Sequence, residues 1–295
     1  MEILKFGKAI CYSGYREGQR PGGEVPSKEQ ITEDLELIVK DGYEYIRMYD
    51  PGLHAERVLE VIREKKLPLK CMLGVDSDHE VNNPDCPWAD QHATEEELKA
   101  NAERNDAQVE KLIALVKKYD EEIIAVAIGN ENTPDWGAHM VPVERLIRHA
   151  KRVKEELDKP VSFCEGAGEW EHLGELAKHL DFISVHSYPL HCRIGIEEAI
   201  EYNKKDLAMV KAWYPDKQVI FTEVGWSTQP NDHMIQEDAN LPNLVRYITE
   251  LKEWIAEEKI LAFIFEMFDE PWKGSRPESS ERNWGLYYVD RTPKW

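Results

Sequence analysis

Two hydrophobic rhythms alternate along the chain. Short and almost wholly apolar runs, of which Ile123-Ile-Ala-Val-Ala-Ile128 is the clearest, are too brief for an ordinary helix and carry no polar face. Such runs read as parallel strands covered on both sides. Between them, apolar residues recur at helical spacing, as in Ile31, Leu35 and Ile38, or Val109, Leu112, Ile113 and Val116. The pattern predicts strands over residues 8–12, 43–49, 69–75, 123–128, 161–165, 182–186, 219–223 and 260–268. Helices are predicted after Ser27, around Val58, Val61 and Ile62, after Thr94, and over 143–157, 196–213 and 240–258. Ser27 with Gln30, and Thr94 with Glu97, have the spacing of capping boxes, and Gly42 supplies a stop.

A strand followed by a helix, roughly every 30 to 40 residues, is the rhythm of βα units. Eight of them predict one (β/α)₈ TIM barrel spanning residues 1–295 as a single domain. A doubly wound sheet is the alternative, but no Gly-x-Gly-x-x-Gly follows the first strand. The eighth helix is expected to be short or missing. Residues 269–295 are rich in Pro, Gly, Trp and charge and should close the barrel as a long loop, with an extended piece near 285–289.

The length of 295 residues suits such a barrel, and the net charge of −20 disfavours nucleic acid and anionic membrane as partners. A neutral or cationic ligand fits better. No run approaches the apolar length of a membrane span, and Met1-Glu-Ile-Leu-Lys-Phe6 does not open like a signal peptide. Cys11, Cys71, Cys86, Cys164 and Cys192 are odd in number and share no metal-ligand spacing. That usage suits a reducing compartment, so the cytoplasm is expected, or a secreted or periplasmic site if a leader has been removed.

In a barrel the carboxyl ends of all strands converge on one face, where chemistry resides. Glu131 ends strand four, Glu223 ends strand seven and Tyr188 follows strand six. Arg47 and Tyr49 end strand two, while Glu266, Asp269 and Glu270 cluster at strand eight. Trp136, Trp170, Trp226 and Trp272 lie beyond four of the strands, and half of them are expected to be packing residues. Two carboxylates across one cleft, one protonated and one ionised, are what glycoside hydrolysis requires, and aromatic faces beside them suit sugar rings. Glu165, Glu169 and Glu266 could instead pair with rim arginines, and His186 reads most simply as a hydrogen-bonded structural histidine. Asp76, Asp78, His79 and Glu80 could suggest a metal, although their adjacency fits a solvated loop better.

At this point the strand ends resemble glycoside hydrolase family seventeen, a β-1,3-glucanase family, in its bacterial and fungal branch. The resemblance rests on Cys11-Tyr-Ser-Gly-Tyr-Arg-Glu-Gly-Gln19, Ile46-Arg-Met-Tyr49, Ile128-Gly-Asn-Glu131, Val185-His-Ser-Tyr-Pro189 and Thr222-Glu-Val-Gly-Trp226. Phe265-Glu-Met-Phe-Asp-Glu-Pro-Trp-Lys273 and Glu281-Arg-Asn-Trp-Gly-Leu286 complete it, in order along nearly the whole chain. The resemblance implies a retaining hydrolase with Glu131 as general acid/base and Glu223 as nucleophile, their carboxyls about 5–5.5 Å apart. It implies that Asn130 binds the sugar 2-hydroxyl, that Tyr188 holds Glu223 ionised, and that Tyr49 lines the same subsite. Trp226, Glu266 and Trp272 are expected to contact substrate. Lys273 and Glu281 are expected as a charged pair whose cation helps keep Glu223 ionised, with an apolar setting keeping Glu131 protonated. A β-glucan is the expected partner, acted on by a monomer without metal or organic cofactor. Two alternatives stand beside hydrolysis: β-1,3-glucanosyl transfer from the same site, and a barrel that binds glycan without turnover. The strand-five end Cys164-Glu-Gly-Ala-Gly-Glu-Trp170, the loop 74–94 and the segment 190–196 depart from the family pattern.

Overall fold

A computed structural model describes residues 2–86, 92–274 and 276–295. Eight parallel strands close into a barrel in sequence order: β1 Ala9–Cys11, β2 Tyr45–Met48, β3 Lys70–Leu73, β4 Ile123–Asn130, β5 Val161–Gly166, β6 Ile183–Ser187, β7 Val219–Gly225 and β8 Ala262–Phe265. Closure is made where Ala9 and Ile10 pair with Phe263 and Ile264. The strands are the apolar runs read from the sequence: β1, β2, β3 and β8 are shorter at both ends, β4, β5 and β7 run on to Asn130, Gly166 and Gly225, and β6 is displaced by one residue; β8 stops at Phe265, and residues 266–268 build the rim.

Among the described residues seven α-helices cover the barrel: α1 Lys28–Lys40, α2 Leu53–Lys65, α3 Glu95–Lys118, α4 Val143–Glu156, α5 Gly174–Ala177, α6 Ala199–Trp213 and α7 Leu241–Glu257. Both capping boxes form, with Ser27 and Thr94 accepting from the backbone of Gln30 and Glu97 and receiving their side chains in return. Gly42 adopts φ +82° and ends α1. The apolar stripes face inward as their periodicity requires: Ile31, Leu35 and Ile38 on α1, and Val109, Leu112, Ile113 and Val116 on α3, are buried.

Two stretches depart from the regular repeat. Between β5 and β6 the chain makes only a 3₁₀ turn, Gly168–Glu171, and the single turn α5. Glycines at 166, 168 and 174 leave no run long enough to sustain a longer helix. After β8 no α-helix follows among the described residues, only the 3₁₀ turn Ser280–Arg282, in keeping with an eighth helix that is short or missing. The tail instead docks through buried ion pairs: Arg291 donates to both oxygens of Asp34 at 2.7 Å, and Lys294 to Asp269 at 2.8 Å. Tyr287 bridges Phe268 and Pro293, the extended piece predicted near 285–289. No helix among the described residues is long and apolar enough to cross a membrane.

Candidate active site

A cleft of about 1000 Å³ opens at the carboxyl ends of the strands. The end of β4 shows how a short sequence aims a carboxylate into it. Asn132 Oδ1 accepts the Asn130 amide at 2.8 Å, and Asn132 Nδ2 donates to the His139 carbonyl at 2.7 Å. A Cβ on Gly129 would lie 2.5 Å from Asn132 Oδ1 and would displace the side chain that makes this turn. Glu131 then takes φ +50°, a left-handed conformation costly for a residue with a side chain, and its amide donates to the Cys164 carbonyl at 2.9 Å. Glu165 fastens the chain two residues on: its Oε2 accepts from Thr133 Oγ1 at 2.7 Å and from the Thr133 amide at 3.2 Å. Glu165 therefore supports the turn and pairs with no arginine. Its carboxyl is pushed up to about 8, by burial first and then by the nearby Glu131.

Glu223 projects from β7 where the register with β6 shifts between Val185 and His186. Arg47 Nη1 and Tyr188 Oη each donate to it at 2.5 Å, on opposite oxygens. His186 Nδ1 stands 3.6 Å from Glu223 and 2.7 Å from Glu131 Oε1, between the two carboxylates. Burial alone would raise the Glu223 carboxyl; the His186 and Arg47 charges, with hydrogen bonds from Tyr188 and Arg47, bring it down to about 2. Burial likewise disfavours a charged His186, but Glu223, together with contacts to Cys164 and Glu131, lifts the imidazole to about 10. One oxygen of Glu131 and one of Glu223 lie within 4.8 Å of each other and of the His186 nitrogen.

The remaining residues singled out in the sequence divide. Tyr49, Asn130, Tyr188, Trp272, Lys273 and Glu281 line the cleft with Glu131 and Glu223. Trp226 does not: it is fully buried, stacked on Tyr247 and tied by Nε1 to the Asp238 carbonyl. Trp170 is buried in the same way, while Trp136 and Trp272 reach the cleft, so two of the four tryptophans are packing. Glu266 is buried beneath the rim and lies outside the cleft wall, its carboxyl raised well above the usual carboxylate range by burial and by Glu270. Lys273 contacts Glu270 rather than Glu281, whose nearest basic group is His191 at 3.9 Å. The cations beside Glu223 are Arg47 and His186, not Lys273. Nor is Glu131 in an apolar pocket; its side chain is 31% exposed and hydrogen-bonded to His186.

Arg47 and His186 carry more of the site than their sequence context suggested. The available signal was a charged residue inside an otherwise apolar strand, which must find partners when buried. Arg47 is 2% exposed, spans from Glu223 to Asn130 Oδ1 at 2.5 Å, and stacks 4.4 Å from the Tyr49 ring centroid. Trp284, which meets Tyr188 edge-on at 5.1 Å and His191 at a tilt at 5.3 Å, also joins the wall. Glu131, His186 and Glu223 are the one set of ligand-type atoms near enough to share a cation among the described residues. Arg47 and the His186–Glu131 hydrogen bond occupy the lone pairs such an ion would need. In the 76–80 loop, Asp78 pairs with Arg104 at 2.8 Å and Glu80 with Arg145 at 2.7 Å, the arrangement of an ion-paired surface loop; residues 87–91 of the same loop lie outside the described residues.

A (β/α)₈ barrel with carboxylates facing each other from its fourth and seventh strands has the architecture of a glycoside hydrolase. The model of the BtgE/BtgC glycoside hydrolase domain matches residues 9–285, and the chain belongs to that family. An Aspergillus niger protein named for glucan endo-1,3-β-glucosidase is 26% identical over 291 residues, covering 88% of this chain and 38% of the relative. The chain thus spans well under half the length of that relative. The glucan 1,3-β-glucosidase of Arthroderma benhamiae is 23% identical, covering 94% of this chain and 87% of its own. Among solved structures, the endo-laminarinase from Formosa Hel1_33_131 superposes with a TM-score of 0.81 at 24% identity, over 96% of this chain and 84% of that one. The family 17 β-1,3-glucanosyltransferase from Rhizomucor miehei does so with a TM-score of 0.76 at 17% identity, over 97% and 95%. These superpositions establish the shared fold.

Proposed function

We propose that the chain is a retaining glycoside hydrolase of the family 17 type, acting on β-1,3-glucan by double displacement. The observation that carries this reading is the approach of Glu131 and Glu223 to within 4.8 Å, oxygen to oxygen. An inverting pair is held about 6.5–9.5 Å apart to admit a water, whereas a retaining pair stands at about 5–5.5 Å. The β-1,3 linkage follows the relatives' names, and the net charge of −20 suits a neutral polysaccharide.

In this reading Glu223, ionised and angled by Arg47 and Tyr188, attacks the anomeric carbon. Glu131 protonates the departing oxygen and later takes a proton from water. Asn130 reads the 2-hydroxyl, and Arg47 decides how: a guanidinium only donates, so Asn130 turns Oδ1 to it and keeps Nδ2 for the sugar. His186 links the two steps. Glu223 is the foremost charge raising the imidazole. As Glu223 bonds to the sugar its charge is consumed, the His186 proton becomes more acidic, and that proton is released across the 2.7 Å contact toward Glu131 when the leaving group needs it. Hydrolysis of the glycosyl-enzyme restores the charge and reverses the transfer. A sugar hydroxyl replacing water would give glucanosyl transfer through the same intermediate. A barrel that merely bound glycan would have no use for a proton donor set against an ionised nucleophile.

Time-resolved NMR of products from β-1,3-, β-1,3/1,4-, β-1,4- and β-1,6-glucans tests the proposal. Early β-anomers from the β-1,3 substrates are expected, with chain-lengthened products marking transfer. Early α-anomers would mean inversion and reject the mechanism.

A further inference from the structure

On the β6 side of the cleft stands a buried carboxylate that, like Glu165 and Glu266 and unlike most of the buried acids, has no basic partner among the described residues. Asp34 is paired with Arg291, Asp269 with Lys294 and Glu223 with Arg47. Asp206 on α6 is only 7% exposed, yet no Lys, Arg or His nitrogen pairs with it among the described residues. Burying an unpaired carboxylate is costly unless other donors replace water.

What Asp206 has instead is a one-way chain of hydrogen bonds. Tyr247 on α7 donates to Asn203 Oδ1 at 2.8 Å, Asn203 Nδ2 donates to Ser187 Oγ at 2.8 Å, and Ser187 Oγ donates to Asp206 Oδ2 at 2.5 Å. Tyr247, Asn203 and Ser187 are themselves buried, and Asn203 and Asp206 share one helix face at i, i+3 spacing. The relay fixes one carboxylate oxygen and the rotamer. The other, Oδ1, accepts from no described group, although Asp206 lines the cleft. Tyr202, one helical turn earlier, lines the same wall.

The geometry points to Asp206 as a specificity-determining residue: its free oxygen accepts a hydroxyl of the bound glycan, beside the ring of Tyr202. We draw this from the relay, and it rests on the glycan reading of the cleft. A sugar hydroxyl supplies the donor that the protein withholds, and an aromatic ring next to a fixed acceptor is how proteins hold a pyranose. Burial, relieved only by Ser187, raises the Asp206 carboxyl to about 6, so it remains an acceptor at neutral pH. Ser187 ends β6 between His186 and Tyr188, which places this contact close to the reacting centre.

Calorimetric titration of laminari-oligosaccharides into the inactive variant Glu223→Gln, with and without Asp206→Asn, tests the inference. Loss of a charged acceptor for a hydroxyl should weaken binding roughly ten- to a hundredfold. The melting temperature of the unliganded protein should stay put, since Asn keeps an oxygen for Ser187. Equal affinities overturn the assignment, and equal affinities with a lowered melting temperature identify Asp206 as a tie between β6 and α6. If the parent variant binds no β-glucan while wild type also releases no sugar, both the glycan reading and this assignment fall. If the parent binds and only Asp206→Asn behaves like it, the inference alone fails.

Discussion

At the end of β7 the carboxylate is walled in: Glu223 is 8% exposed, takes Arg47 on one oxygen and Tyr188 on the other, and extends from within the strand. At the end of β4 the same functional group stands on a strained turn at φ +50°, is 31% exposed, and has a single partner among the described residues, His186, shared with its opposite number. On the proposed reading, with Glu223 as nucleophile and Glu131 as acid/base, the two sites solve different problems. A nucleophile must be ionised and immobile, which burial would oppose without the fixed positive charge of Arg47. An acid/base must exchange its proton twice per cycle and reach solvent water, which exposure and one mobile-proton partner permit.

The largest test of that contrast removes the buried member. Glu223→Ala should lower turnover by about 10⁴-fold or more, and added azide, entering where the carboxylate was, should restore part of it and yield the α-glycosyl azide. Glu131→Ala should cost less, about 10²- to 10⁴-fold on glucan, and still less on an aryl glucoside whose leaving group needs no proton. Azide should there attack the glycosyl-enzyme and give the β-glycosyl azide. Exchange of the two anomers between the variants would reverse the assignment, and it can be read by NMR on isolated product.

The same contrast explains what was legible in the sequence. Strands such as Ile123–Ile128 announce themselves because a strand covered on both faces has no polar positions, and the barrel follows from their number and spacing. Glu131 and Glu223 were legible because the fold sends every strand end to one rim. Depth was not legible. Trp226 and Trp272 follow β7 and β8 in similar text, but Trp226 packs on Tyr247 behind the barrel and Trp272 reaches the cleft. That difference depends on where α7 lies, a long-range fact. Pairing was equally hidden: Lys273 is eight residues from Glu281 and three from Glu270, and only the folded rim decides for Glu270. Asp206 sat unnoticed in α6, since nothing local separates a buried helical acid from a solvated one.

The smallest expected effect probes the histidine that joins the two carboxylates. With its imidazole raised from 6.5 to about 10, His186 contributes stability that is complete below pH 6.5 and is lost as pH rises through 10. Glu165, raised to about 8, contributes below pH 4.5 and is lost as pH rises through 8, so the interval from 8 to 10 isolates the histidine from it. Glu223, lowered to about 2, works in the opposite sense, contributing above pH 4.5 and failing as pH falls through 2. His186→Gln keeps a hydrogen-bonding side chain but no titratable charge. Its melting temperature should fall by roughly 2–6 °C at pH 6, and the gap to wild type should close steadily from pH 6.5 and vanish near pH 10. On the acid side the variant should lose stability earlier, because Glu223 has lost its foremost positive neighbour. Melting curves taken every half unit from pH 3 to 10 provide the check. A gap that stays constant between pH 6 and 10 would mean that His186 is neutral in the folded protein, and the proton shared with Glu131 would then belong to the glutamate.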